Sequence, residues 1–143
     1  MNKSFKGKLD TGDQQTIRLS TNKGEQGYQI IKIAIIGQEP QGTTQESTLQ
    51  VFSTKRSTIT ATMNFDDPSL LGVAYWSSSN SSDNAEDMTV VIDNKIVNQD
   101  IFITHVGTGS TYLNYYIELE QVKLDLTENT VATLKDIRNI KAQ

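Results

Sequence analysis

The chain contains no cysteine, one histidine, one tryptophan and no long apolar run. Without cysteine there is no thiol nucleophile, no disulfide framework and no thiolate zinc or iron–sulfur site, and the redox compartment stays open. The single histidine, His105, cannot build an imidazole metal site alone. It reads either as a hydrogen-bonded strand-end residue or as a lone functional imidazole. Positive charge is short as well: 13 Lys and Arg face 17 Asp and Glu, a net charge of -4. A nucleic-acid surface needs clustered cations to neutralise phosphate, so no nucleic-acid partner is expected. The longest apolar stretch, 30–36, is interrupted by Lys32 and falls far short of a membrane span. Lys3, Lys6 and Lys8 are followed by no apolar run of roughly 7–15 residues, so neither a signal peptide nor a membrane partner is expected.

What the sequence does have is alternation. In 113–119, Leu113, Tyr115, Ile117 and Leu119 fall on one side of an extended chain, and Asn114, Tyr116 and Glu118 on the other. That period of two marks a strand with one buried face. After Leu119 the apolar positions change parity to Val122 and Leu124, which predicts a β-bulge or a change of neighbouring layer near Glu120 and Gln121. Strands are also expected at 4–9, 15–20 (Ile17 and Leu19 inward), 28–36, 46–53, 57–65, 70–76, 89–92 and 100–105. The 28–36 segment is apolar at both parities, so it reads as a central strand covered on both faces. At 57–65, Ile59, Ala61, Met63 and Phe65 alternate with Thr58, Thr60, Thr62 and Asn64 and suggest a half-buried strand. Residues 77–87 are small and polar and read as an exposed loop. Beyond Leu124 the pattern changes. Asp125 and Glu128 have capping-box spacing, and Val131, Leu134, Ile137 and Ile140 recur every three residues, giving a short helix at 127–140. Its apolar stripe packs on its own sheet or docks on a neighbouring subunit.

These elements predict a mainly β fold: one antiparallel β-sandwich domain over 1–143, jelly-roll-like, with 1–9 as an N-terminal arm or edge strand and a short C-terminal helix. An immunoglobulin-like sandwich lacking the disulfide is the second choice. At this length about two-thirds of the unfolded surface can be buried, so no metal or disulfide staple is needed.

An enzyme is not expected, and no catalytic, cofactor or metal residues are assigned. Asp10-Thr11-Gly12 matches the aspartic-protease triplet, but Asp13, Gln14 and Gln15 follow it, and the residues suit a plain turn. Asp83, Glu86 and Asp87 do not match the spacing of a calcium loop. Gly107-Thr108-Gly109-Ser110 lacks the helix N-terminus that would hold a phosphate. Asp66 with Asp67, or Glu118 with Glu120, could be drawn as glycosidase acids, but no cleft that would raise one pKa is visible.

A resemblance carries the functional expectation. Arg18-Leu19-Ser20-Thr21, Gly27-Tyr28-Gln29-Ile30, Asn64-Phe65-Asp66-Asp67 with Leu70-Leu71, Ile92-Asp93-Asn94-Lys95, Asn98 through His105, and Asn114 through Glu120 together resemble small virion-associated proteins of tailed phages that infect marine bacteria, including cyanobacterial phages. The likeness spans about Arg18 to Ile137. It implies a non-enzymatic bacteriophage structural protein on the capsid exterior of the virion. The favoured role is a decoration or cement protein that binds the major capsid protein and other copies of itself, as a dimer or trimer. A neck or tail component is the nearest alternative. A carbohydrate-binding β-sandwich for host-surface recognition is the alternative from another class, with Tyr75 and Trp76 as its platform unless Trp76 is core. Apolar residues beside cations mark the expected partner contacts: Phe5 and Lys6 at one end, and Ile137, Arg138 and Ile140 at the other.

Overall fold

The computed structural model describes residues 2–19, 26–39, 44–78 and 87–123. Nine strands form in chain order: β1 (Asn2–Asp10), β2 (Gln14–Ile17), β3 (Gln26–Gly37), β4 (Gln45–Phe52), β5 (Leu70–Ser78), β6 (Asp87–Ile92), β7 (Ile96–Val97), β8 (Ile101–Gly107) and β9 (Tyr112–Lys123). They make two antiparallel sheets, ordered β1-β9-β3-β7 and β2-β8-β4-β5-β6, with no helix among the described residues. The pairs nest. β1 lies on β9, β2 on β8, β3 on β7 and β4 on β5, so early strands meet late ones, while β6 adds an outer strand beside β5.

One core lies between the sheets. Leu113, Tyr115, Ile117 and Leu119 of β9 supply its centre on one side, and Leu49, Val51, Ala74, Ile101 and Ile103 supply the other. The alternation of β9 thus does what its period requires, turning Asn114, Tyr116 and Glu120 away from the core. Its pairing with β3 runs without a break through Glu120 and Gln121. The irregularity sits instead on β3, between Ile30 and Lys32. Tyr28 and Ile30 face inward before it, and Ile33 and Ile35 after it. An extra residue at Ile31 absorbs the change of parity. The expectation that 28–36 is covered on both faces is therefore corrected: Ile31 and Ile36 are exposed, and one buried face plus a bulge produces the unbroken apolar run.

Coverage on both faces belongs instead to strands of the other sheet, such as β4. Gln45, Ser47, Leu49 and Val51 point inward, while Gln50 and Phe52 are buried on the opposite side. The cover is the segment 53–69, and here the sequence reading of 57–65 is overturned. No strand forms there. Its Thr60 and Thr62 carbonyls accept from the Gln50 Nε2 amide (3.1 and 3.3 Å) instead of pairing with a neighbouring strand. Met63 packs on Phe52, Leu70 and Val73. Arg56 clips the segment in place: it stacks 4.4 Å from the Phe52 ring centroid, pairs with Asp67 at 3.2 Å, and its backbone exchanges hydrogen bonds with the Gln14 amide.

Residues 1–9 were open to two readings, arm or edge strand. β1 pairs with β9 from Asn2 opposite Glu120 to Asp10 opposite Tyr112, so an edge strand is what forms. Asp10-Thr11-Gly12-Asp13 turns the chain into β2, with Gly12 at φ 83°, where a side chain would be strained. The two-residue β7 carried no period to detect. The helix expected at 127–140, and most of the loop expected at 77–87, lie outside the described residues.

Candidate contact surfaces

A buried polar chain joins the two sheets at one end of the core. His105, in β8, is fully buried, with Nδ1 at 2.8 Å from the Leu9 carbonyl of β1 and Nε2 at 2.9 Å from Ser47 Oγ of β4. A carbonyl can only accept, so Nδ1 carries the proton and Nε2 accepts from the Ser47 hydroxyl. Ser47 Oγ in turn accepts from Gln45 Nε2 (2.7 Å), which also donates to the Tyr112 carbonyl (3.1 Å). Gly107 makes room for the chain, since a Cβ there would come 2.6 Å from Ser47 Oγ and 2.8 Å from His105 Nε2. Burial pushes the His105 pKa below 6.5, opposed by its hydrogen bonds to the β1 backbone and by the charges of Asp10 and Asp13.

Serine Oγ within reach of an imidazole is the geometry of a nucleophile with its base. Ser47 and His105 are both closed off from solvent, however, and the third member is a backbone carbonyl. In this state the pair offers no approach to a substrate. It fastens β1 to β4 and β8 across the core; His105 is thus hydrogen-bonded as weighed, but within β8, which runs on to Gly107, rather than at a strand end.

Of the expected contact residues, the structure describes two. Phe5 is inward-facing, half-buried and packed against the core, whereas Lys6 is exposed on the outer face of the four-stranded sheet, opposite Tyr116. Ile137, Arg138 and Ile140 lie outside the described residues. The outer face around Lys6 is aromatic and charged. Lys8 sits 4.6 Å from the Tyr112 ring centroid and Lys32 5.8 Å from that of Tyr116. Glu118 accepts from Tyr116 (2.8 Å) and Asn2 (3.2 Å), and the first of these bonds raises the Tyr116 pKa. Exposed Ile36 lies beside Asn114 on the same face.

Of the Tyr75–Trp76 pair only Tyr75, half-buried, reaches solvent. Trp76 is 5% exposed and belongs to the core, and Tyr75 donates its hydroxyl to Glu46 at 2.7 Å. Among the described residues no group of three His, Asp or Glu side chains is placed to hold a metal ion, and no helix is long and apolar enough to cross a membrane. Sequence reasoning missed Gln45 and Ser47, whose partners lie far along the chain. The available signal was polar residues at the inward parity of an otherwise apolar strand. Comparisons with protein-family models, with curated proteins and with solved structures found no match to this chain.

Proposed function

We propose that the chain is a jelly-roll β-sandwich and a non-enzymatic structural protein of a phage particle, bound to the outside of the shell as a decoration or cement protein. The observation that carries this reading is the nesting of the strand pairs. A long antiparallel hairpin rolled around one core pairs its first strand with its last, its second with its second-last, and so inward, which is how a jelly roll is built. β1 with β9, β2 with β8, β3 with β7 and β4 with β5 follow that order once β6 is counted as an added edge. Jelly rolls recur in viral capsid and lectin domains, so the step from fold to role is analogy, joined to the resemblance of the sequence to virion proteins.

The contact surface that suits this role is the outer face of the four-stranded sheet. Lys6, Lys8, Tyr112 and Tyr116 give a patch of aromatic area with cations on it, and mixed patches of this kind suit attachment to another protein. The partner is the major capsid protein, and many weak contacts on a symmetric shell add up to firm attachment. The reading is tested by mixing the purified protein with particles that lack it and measuring copies bound by quantitative mass spectrometry. A decoration protein saturates at many copies per particle, and Lys6→Glu lowers its occupancy. Saturation at a few copies favours a neck or tail component. Absence of binding, together with binding to host-surface glycans, favours the carbohydrate reading.

A further inference from the structure

Among the described residues the two sheets have four edge strands, and three are guarded. β1 carries Lys3, Lys6 and Lys8, β2 has four residues and β7 has two. Lysines and short length are the usual protections of an exposed edge against pairing with another chain. β6 has neither. From Met88 to Ile92 it is uncharged and β-branched apart from Met88, and among the described residues it pairs only with β5. Exposed apolar area gathers beside it. Phe65 is 66% exposed and Val91 44% exposed, and both line an open groove with Leu70 and Val73.

We propose that β6 is the seat of a symmetric dimer, in which β6 of a second copy adds antiparallel to it about a two-fold axis at Val91. The proposal goes beyond the virion reading and stands or falls without it. An edge of alternating N–H and C=O groups is satisfied by another extended strand, so the occupant is β-structured. A two-fold axis perpendicular to the sheet sets a residue opposite itself and keeps outer faces together. Centring on Val91 brings it against the partner's Val91, with Phe65 of each copy flanking the pair on the grooved side. Val90 then faces the partner's Ile92, and Thr89 faces the partner's Asp93. Apolar meets apolar, a hydroxyl meets a carboxylate, and no like charges oppose each other along these pairs.

The absence of cysteine makes the test clean. Residues directly opposite in an antiparallel pair have Cα atoms about 4.5–5.5 Å apart, inside the roughly 4.4–6.8 Å that a disulfide spans. Val91→Cys in the full chain is therefore expected to form a disulfide-linked dimer on mild oxidation, while Lys6→Cys on the guarded edge is not. Sedimentation of the unmodified protein is expected to show a concentration-dependent dimer, weakened about tenfold or more by Val91→Lys. Circular dichroism confirms that each variant is folded; should Val91→Lys unfold, Thr89→Glu, which sets a carboxylate against the partner's Asp93, serves on the same exposed strand. A protein monomeric into the upper micromolar range overturns the proposal. So does a dimer unaffected by the introduced edge charge, or cross-linking at Lys6→Cys as efficient as at Val91→Cys.

Discussion

The two sheets treat their outer faces differently. In the four-stranded sheet, the outward residues of β9 stand against solvent, beside the lysines of β1 and β3. In the five-stranded sheet, the outward residues Gln50 and Phe52 in the second half of β4 lie under 53–69 and are buried like inward ones. A strand's outward side chains are thus expendable in one sheet and structural in the other, although both strands sit in the interior of their sheets. Position in the sheet does not decide the cost of a substitution; what lies across from the side chain does.

The largest effect is expected where the sheets meet. Ile117→Ala, at a fully buried site on β9, should lower unfolding free energy by about 2–5 kcal/mol in a urea titration. A loss below about 1 kcal/mol would mean the shared core is misplaced. Next comes the contrast itself. Gln50→Ala leaves the Thr60 and Thr62 carbonyls without their donor and should cost about 1–3 kcal/mol. Asn114→Ala, equally central but exposed, should stay within about 0.5 kcal/mol. Equal costs would erase the distinction between the sheets.

His105, which bridges them, makes stability depend on pH. Its pKa is lowered in the folded chain, so below about pH 6.5 the unfolded chain takes up a proton that the folded one refuses. Its contribution is fully present above pH 6.5 and falls as pH drops toward the folded pKa, by at most about 1.4 kcal/mol per unit. His105→Gln should flatten that part of the stability profile; an unchanged slope would assign it to the carboxylates. The smallest effect is expected at the clip. Arg56→Ala should cost about 1 kcal/mol or less because the guanidinium is partly exposed, and its clearer signature is faster proteolysis within 53–69.

The same contrast explains what could be read from the sequence. β9 was legible because one face is dry and the other wet, so polarity tracks geometry residue by residue. β4 alternates poorly because Gln45 and Ser47 point inward to serve His105, and Gln50 points outward to serve 53–69. The run at 57–65 misled for the opposite reason: it alternates like a strand, yet its carbonyls are taken by a side chain. On β3 the bulge hid the period by shifting it once at Ile31. Phe5 and Lys6 were singled out as neighbours in sequence, but adjacent strand residues face opposite ways, so only Lys6 reaches the outer surface. Val91 drew no notice because an edge strand differs from an inner one only in what it lacks on one side.

The pairing of β1 with β9 also sets an order of events. Asn2 and its partner Glu118 are 116 positions apart, and His105 closes on Leu9 across 96. Contacts between distant segments must wait for loop closure, which slows folding. During synthesis β1 leaves the ribosome long before β9 exists, and it must stay unpaired until β9 has been made. A segment of nine residues with three lysines and two apolar side chains is suited to that wait, since charge opposes premature strand association. The lysines that guard the finished edge therefore also serve as solubilising residues for a strand that is made long before its partner.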